Sequence, residues 1–438
     1  MKRLCWLAVM VLAATQASAQ VTYERLLRAE EEPGSWLTYS GSYKSHRYSK
    51  LDEIRRENVK DLQLDWVFQA RSLEKFEATP IVADGVMYLT QAPNDVVALD
   101  PQTGQVFWKT SYPLPTRINP CCGRVNRGVA ILGDTLYMGT LDAHLVALDA
   151  KTGAILWDVE IADYAGGYAL ALSPLVVKDK VIVGVAGGEY GIRGFLDAYD
   201  AKSGKRVWRF YTVPGPGEPG HETWSGDAWE RGGASIWLTG SFDPELNLTY
   251  WGVGNPSPDW NADVRPGDNL YSDSVVALDP DTGKLKWHFQ FTPHDHWDWD
   301  ATQIPVLADM EFRGRPRKLM FWANRNGFYY VLDRATGEFL HGQPFIHQTW
   351  AAGLDERGRP VVRPEARPTP EGTLVYPGVQ GGTNWYSPSY SPRSGLFYVP
   401  VWEYASIYHK GDATYTRGNR GVLPHRHIEQ ATARAVGR

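Results

Sequence analysis

The sequence has few cysteines, and this scarcity removes several kinds of site. Among 438 residues there are three, Cys5, Cys121 and Cys122. A structural zinc site is not expected, because no further cysteine is available to complete it. The C-x-x-C-H motif that attaches heme does not occur, so a heme carried covalently on this chain is not expected either.

Long hydrophobic runs are also scarce, since the only one lies at the start of the chain. A basic start, an apolar run at 4–15 and an A-S-A stretch predict a cleavable secretory signal over residues 1–19. The run is shorter than the roughly 20 apolar residues that span a bilayer, so a permanent anchor is the weaker alternative. Cleavage would leave Cys121 and Cys122 as the only cysteines of an exported, disulfide-permissive chain.

The sequence also lacks a strong excess of charge of either sign. The net charge is -5 with both signs interspersed, so there is no basic stripe for nucleic acid. After the signal, no membrane span and no amphipathic membrane helix is expected. The predicted partners are small molecules or other proteins.

The two remaining cysteines are adjacent, in "NPCCGRV" at 119–125. A bridge between them would close a strained eight-membered ring, because neighbouring Cα atoms lie about 3.8 Å apart and ordinary disulfides prefer a longer separation. Such strain is concentrated at functional sites. The alternative is a pair of reduced, buried thiols that act as small hydrophobic side chains.

One unit recurs along the chain and predicts the fold. An alternating apolar strand, D-x-x-[ST]-G and a second strand with tryptophan form a hairpin. The copies are "VVALDPQTGQVFW", "LVALDAKTGAILW", "LDAYDAKSGKRVW", "VVALDPDTGKLKW" and a weaker "YYVLDRATGEFL", with turn glycines Gly104, Gly153, Gly204, Gly283 and Gly337. Their spacing suits four-stranded blades, and Trp66 indicates an earlier one. The sequence therefore predicts an all-β propeller of about six blade equivalents, with the tryptophans packing between blades.

Outside the repeats, "TPHDHWDWDATQ" gathers Asp295, Asp298 and Asp300. In an extended strand, Asp298 and Asp300 point to the same side. Two converging carboxylates repel unless a proton or a cation lies between them, and a hard cation such as Ca²⁺ accepts such oxygens. The alternative is a solvated acidic turn.

Seven strings in order now carry a resemblance. They are "CCGRVNRGVA", "GGEYGIRGF", "GGASIW", "WGVGNPSP", "TPHDHWDWD", "NRNGFYYVLDR" and "GGTNWYSP". Together they resemble the pyrroloquinoline quinone (PQQ) dependent alcohol dehydrogenases from about residue 35 to about residue 410. The resemblance implies an eight-bladed propeller with PQQ near its axis, between a vicinal disulfide and a tryptophan.

Matching positions imply the site residues. The residues implied to bind the cofactor are Glu77, Cys121, Cys122, Arg127, Gly187, Gly188, Ser235, Trp237, Arg325 and Asn384. Those implied to bind the metal are Glu189, Asn255, Asp298 and Asp300. For the two arginines the alternative is a surface or structural ion pair, and for Asn255, which precedes a proline, it is a role in shaping a turn.

The resemblance implies a periplasmic enzyme that oxidises a primary alcohol to an aldehyde, with Asp298 as the base. Calcium-using members of the family carry a non-acidic residue two places after that aspartate, and lanthanide-using members carry Asp, as this chain does at Asp300. The extra carboxylate favours a trivalent cation, so a lanthanide is expected, with Ca²⁺ as the alternative. The implied electron acceptor is a separate c-type cytochrome, and a homodimer is one possible assembly.

The pattern is also broken in places. Ala171 stands where relatives usually have a threonine, and the tail "VLPHRHIEQATARAVGR" lacks the repeats that complete the ring in relatives. The expected domain is a single PQQ-binding propeller over 20–438, incomplete at its C-terminus. Two alternatives follow: a non-catalytic propeller scaffold, or a remnant that binds PQQ without turnover.

Overall fold

The regular secondary structure of the described residues consists mainly of antiparallel strands. The structure, a computed structural model, describes residues 21–411, 413–415, 417 and 429–431. The predicted signal at 1–19 lies outside the described residues. Within them, no helix is both long enough and apolar enough to cross a membrane.

Five sheets of four strands follow one another along the described chain and are termed blades 1 to 5. Their strands are β1–β4 (Ile81–Ala83, Val86–Gln91, Asp95–Leu99, Val106–Ser111), β5–β8 (Ala130–Leu132, Thr135–Gly139, His144–Asp149, Ile155–Glu160), β9–β12 (Leu175–Val177, Lys180–Gly184, Phe195–Asp200, Arg206–Tyr211), β13–β16 (Ser241–Asp243, Leu248–Gly252, Ser274–Leu278, Leu285–Gln290) and β17–β20 (Val306–Phe312, Arg315–Ala323, Phe328–Asp333, Phe339–Pro344).

Smaller sheets follow blade 5. Strands β21 and β22 form one pair, β24 and β25 another, and β23, β26 and β27 a three-stranded sheet. These strands are β21 (Ala351–Leu354), β22 (Pro360–Val362), β23 (Thr373–Val375), β24 (Ser389–Ser391), β25 (Leu396–Tyr398), β26 (Ala405–Tyr408) and β27 (Glu429–Ala431).

Helical segments are short. The described α-helix is α1 (Tyr23–Leu27), and the 3₁₀ turns are Ala29–Glu31, Val59–Asp61, Tyr164–Gly166, Gly188–Tyr190, His221–Thr223, Ala228–Arg231, Ala262–Val264 and Pro364–Ala366. The expected all-β class is confirmed.

The repeated D-x-x-[ST]-G motif forms the turn between the third and fourth strands of each blade. In blade 2, Oδ1 of Asp149 accepts hydrogen bonds from the backbone N–H groups of Lys151 and Thr152, at 3.1 and 2.8 Å. Gly153 then takes a φ of +73°, which glycine adopts without steric cost. The motif therefore encodes a complete turn, which explains why it recurs in every blade.

Each repeat tryptophan packs on the turn glycine of the next blade. A Cβ atom added at Gly153 would lie 2.5 Å from Cε3 of Trp108, and one at Gly283 would lie 2.6 Å from Cδ2 of Trp208. The indole Nε1 of Trp208 donates to the carbonyl of Pro280 at 2.9 Å, so the ring is fixed at both ends. Trp157 on Gly204 and Trp287 on Gly337 repeat this contact, which confirms the packing role predicted for these tryptophans.

The prediction of an earlier blade at Trp66 is wrong, because the strands of such a blade are not formed around it. Residues 62–70 form no strand. Trp66 nevertheless covers the turn glycine Gly104 and donates from Nε1 to the carbonyl of Pro101 at 3.2 Å. The spacing between Trp66 and Trp108 thus reflects the repeated contact of a tryptophan on a turn glycine, although Trp66 belongs to no blade.

Candidate active site

A cavity of about 590 Å³ gathers most of the predicted site. None of its lining residues lies within strands β1–β27, so the blades act as a scaffold for loops. The lining residues are Lys75, Phe76, Glu77, Cys121, Cys122, Val125, Arg127, Ala171, Ala186, Gly187, Glu189, Trp237, Asp298, Asp300, Arg325, Gln380, Asn384, Trp385 and Tyr386. Three predicted site residues do not line it, namely Gly188, Ser235 and Asn255.

The adjacent cysteines lie in the loop between blades 1 and 2. The sulfur atoms of Cys121 and Cys122 are at bonding distance, in agreement with a disulfide between them and not with the alternative of two reduced thiols. Cys122 has a φ of +65°, and its carbonyl accepts a hydrogen bond from Nζ of Lys75 at 2.9 Å. Its Sγ lies 3.9 Å from Oε1 of Glu189. The pair therefore forms part of the cavity wall next to a carboxylate.

Arg127 is buried in the same wall between two aromatic rings. Its guanidinium carbon lies 4.9 Å from the ring centre of Trp237 and 5.0 Å from that of Trp385. Nη2 forms an ion pair with Glu77 at 2.7 Å. Burial lowers the pKa of Arg127, and the negative charge of Glu77 opposes this shift. Arg127 therefore does form an ion pair, as the sequence-based alternative expected, but this pair with Glu77 lines the cavity.

The segment "HDHWDWD" runs between blades 4 and 5 and forms no strand, contrary to the extended geometry that we assumed for it. Instead, the carboxylate of Asp295 accepts the backbone N–H groups of Trp297 and Trp299, each at 3.0 Å. Both indoles are fully buried in the core. With these three side chains turned inward, Asp298 and Asp300 both reach the cavity, so the expected convergence is still achieved.

Asp300 is the centre of the polar network. Its Oδ1 accepts the backbone N–H of Asn255 at 3.0 Å and Nε1 of Trp237 at 3.3 Å. Its Oδ2 is paired with Nη1 of Arg325, whose Nη2 lies 4.0 Å from Asp298. The carboxylate of Asp300 thereby contacts three residues with different expected roles. Asn255 is expected to bind the metal, Trp237 to stack on the face of the cofactor, and Arg325 to bind the cofactor's oxygens.

The charges at this site perturb one another. Burial raises the pKa of Asp298 well above its ordinary value, and Asp259, Asp300 and Glu189 raise it further, whereas Arg325 lowers it. A positive charge placed among these carboxylates would reverse the shift, because it stabilises the ionised form. The arrangement therefore favours a bound cation.

Glycines shape the wall that carries Glu189. Gly187 has a φ of +115°, and a Cβ there would stand against the carbonyl oxygen of Gly167. A Cβ at Gly188 would lie 3.3 Å from Oγ of Ser235, so these two residues lie directly behind the wall. Bare backbone at these positions brings the chain close to the cavity and presents Glu189 to it.

Asn384 also lines the cavity. Its Nδ2 donates to the carbonyl and to Oε1 of Gln380, at 3.0 and 3.1 Å, and its Oδ1 accepts the N–H of Trp385 at 2.7 Å. The side chain is thus rigidly held at the cavity.

Sequence reasoning missed several wall residues. They adjoin residues that it did find: Lys75 and Phe76 precede Glu77 in "KFEATP", and Trp385 and Tyr386 follow Asn384. Asp259, whose Oδ1 accepts from Nδ2 of Asn255 at 2.9 Å, was also missed.

The residues fit both expected groups. Glu189, Asp298 and Asp300 supply hard carboxylate oxygens of the kind that bind Ca²⁺ or a lanthanide. Nε of Arg127 and Nε of Arg325 are buried without a hydrogen-bond acceptor among the described residues. Such unpaired donors suit an anionic cofactor with carboxylates and carbonyls.

Comparisons with known proteins agree with this chemistry. A PQQ family model described as "Glucose/ethanol/alcohol dehydrogenase, beta-propeller domain" matches residues 36–343 and confirms the propeller. The quinoprotein alcohol dehydrogenase PedH of Pseudomonas putida is 41% identical, over 93% of this chain and 74% of that protein. The lanthanide-dependent methanol dehydrogenase of Methylacidiphilum fumariolicum is 40% identical, over 90% and 69%.

A solved structure of a europium-containing methanol dehydrogenase superposes with a TM-score of 0.85 at 39% identity, over 90% of this chain and 73% of that one. Several similar quinohemoprotein alcohol dehydrogenases are longer, and the chain spans between 54% and 59% of their length.

Proposed function

The chain belongs to the PQQ-dependent alcohol dehydrogenase family, and from this premise we propose that it oxidises a primary alcohol to an aldehyde with PQQ bound in the cavity. The observation that carries the proposal is the wall of the cavity. It combines two flat surfaces, the Cys121–Cys122 pair and Trp237, with two buried arginines that retain unpaired Nε donors.

PQQ would be held by this chain's own side chains. Trp237 and the cysteine pair offer faces for a planar ring system, and Arg127 and Arg325 offer planar donors to its carboxylates and quinone oxygens. Glu77 and Asn384 complete the polar contacts, while Gly187, Gly188 and Ser235 shape the wall beside them. When bound, PQQ supplies the quinone that accepts a hydride from the alcohol.

Asp298 is the proposed base that takes the hydroxyl proton of the alcohol. It lines the cavity and is not held in a short ion pair, since Arg325 lies 4.0 Å away. Proton transfer by a positioned side chain contributes about 10²–10⁴-fold to a rate.

Dye-linked alcohol oxidation tests this role. Asp298→Asn should lower kcat at least about 100-fold while PQQ affinity, followed by quenching of tryptophan fluorescence, changes little. Asp268→Asn, which removes an exposed carboxylate paired with Arg359, serves as the control and should match the wild type. Wild-type turnover by Asp298→Asn would refute the role.

We propose Glu189, Asn255, Asp298 and Asp300 as the ligands of a lanthanide. Asp300 adds a third carboxylate to the set, and each added negative charge gains more from a trivalent than from a divalent cation. Similarity to a lanthanide-dependent and to a europium-containing methanol dehydrogenase supports this assignment. Metal-free protein with PQQ should gain activity on addition of La³⁺. Activation by Ca²⁺ alone would contradict the assignment.

The remaining parts of the proposal concern partners and location. A separate periplasmic c-type cytochrome would accept the electrons, since the quinol formed in each turnover must be reoxidised. Reduction of an added cytochrome c by protein, alcohol and metal, measured by its absorbance, tests the acceptor. Cell fractionation tests the location, and light scattering tests for a homodimer.

A further inference from the structure

The backbone of Asn255 is fixed from both sides. Its N–H donates to Oδ1 of Asp300 at 3.0 Å, and its carbonyl accepts the N–H of Ala234 at 2.8 Å. The residue is 3% exposed. With the main chain held, the freedom that remains is rotation of the side-chain amide.

Rotation of that amide decides which end faces the proposed cation. The oxygen and the NH₂ group of asparagine have nearly the same shape, so packing alone does not select between them. Only the oxygen ligates a hard cation, whereas the NH₂ group presents partial positive charge. A group that distinguishes the two ends by hydrogen bonding is therefore needed.

Asp259 makes this distinction. Its Oδ1 lies 2.9 Å from Nδ2 of Asn255, and a second contact of Nδ2, at 3.4 Å, goes to the carbonyl of Pro256. In both contacts an oxygen atom accepts a hydrogen bond from Nδ2, so the two partners hold the NH₂ end of the amide and not its oxygen. They fix the NH₂ end on the side of Asp259, so Oδ1 is the end turned away from it.

We propose that Asp259 is a positioning residue that orients the carboxamide of Asn255 so that Oδ1 ligates the cation. The inference rests on the proposed function and adds to it a residue outside the ligand set. Mutation of a residue that hydrogen-bonds to a metal ligand commonly lowers metal affinity by about 10–100-fold.

Terbium luminescence provides a readout that does not depend on turnover. Tb³⁺ is titrated into metal-free protein and its emission is excited through tryptophan, since Trp237 adjoins Asp300. Asp259→Ala should weaken Tb³⁺ binding about 10–100-fold. Asp259→Asn, which keeps an acceptor for Nδ2, should weaken it less. Asp263→Ala is the matched control, because it removes an exposed carboxylate from the same loop and should bind as the wild type.

A double-substitution cycle separates positioning from general structural damage. If Asp259 acts through Asn255, adding Asp259→Ala to Asn255→Ala should cause little further loss of Tb³⁺ affinity. Equal loss in both backgrounds would overturn the inference, as would wild-type affinity of Asp259→Ala.

The proposed metal site has its own test in the same titration. Glu189→Gln should weaken Tb³⁺ binding in the otherwise unchanged protein. If Glu189→Gln binds Tb³⁺ as tightly as the wild type, both the proposed metal site and the role of Asp259 are refuted. If Glu189→Gln binds more weakly and Asp259→Ala still binds as the wild type, only the role of Asp259 is refuted.

Discussion

Replacing Gly283 by alanine should destabilise the protein through its contact with a tryptophan of the preceding blade. Gly283 has a φ of +70°, and the added Cβ would lie 2.6 Å from Cδ2 and Cε3 of Trp208. Trp208 is 8% exposed and its Nε1 is held by Pro280, so the ring cannot retreat without losing a hydrogen bond.

Two costs combine at this position. A left-handed backbone costs a residue with a Cβ about 1–2 kcal/mol. Overfilling a packed site costs about 1–3 kcal/mol more. The expected loss in free energy of unfolding is therefore about 2–5 kcal/mol.

Gly314→Ala isolates the first cost. Gly314 has a φ of +75° in the hairpin between β17 and β18, and no atom lies within 4 Å of the position of its Cβ. This variant should lose only about 1–2 kcal/mol. Gly337→Ala, whose Cβ would meet Trp287 at 2.7 Å, should behave like Gly283→Ala.

Urea unfolding followed by circular dichroism gives the comparison. The midpoint of Gly283→Ala should lie below that of Gly314→Ala by an amount equivalent to about 1–3 kcal/mol. Equal midpoints for the two variants would show that the contact between tryptophan and glycine is loose, and the account of blade packing would be refuted.

Three further predictions concern pH and the cavity. Burial raises the pKa of Asp295 to about 6, so the contribution of Asp295 to the free energy of unfolding should fall as pH rises from about 4 to 6. Asp295→Asn should remove this contribution, which is measured as the difference between the wild-type and variant profiles in pH-dependent urea unfolding. Trp385→Leu removes one ring from Arg127 and should weaken PQQ binding about fivefold to 30-fold in a fluorescence titration, equivalent to about 1–2 kcal/mol. Trp229→Leu, which removes a ring from Arg193 outside the cavity, should not weaken it. Gly187→Ala should lower Tb³⁺ affinity by displacing the backbone before Glu189, and Gly217→Ala, with a φ of +82° and open space, is its control.

The blades were predictable because each repeat contains its own turn. The aspartate of D-x-x-[ST]-G, the following N–H groups and the glycine lie within five residues, so the hairpin follows from local chemistry. Trp66 shows the limit of this reasoning. Its contact with Gly104 matches the repeat, but whether the surrounding segment pairs as a strand depends on partners elsewhere in the chain, which a repeated motif does not report.

Motif resemblance found most of the wall of the cavity but not the contacts behind it. Arg127, Trp237 and Trp385 come from three distant parts of the chain, and their stacking arises only when the loops meet. Sequence spacing also misjudged 295–300, where buried indoles, rather than an extended strand, turn Asp298 and Asp300 toward the cavity. Such geometry depends on tertiary packing, which no local pattern encodes.

The direction of the contact between tryptophan and glycine has a consequence for synthesis. In every pair the tryptophan precedes the glycine that it covers, as Trp108 precedes Gly153 and Trp208 precedes Gly283. During translation the tryptophan of each blade is therefore made before the glycine turn on which it will pack, because that turn belongs to the next blade. Docking can then proceed vectorially, with each new blade capping the one made before it, and no blade has to wait for a distant partner to bury its indole.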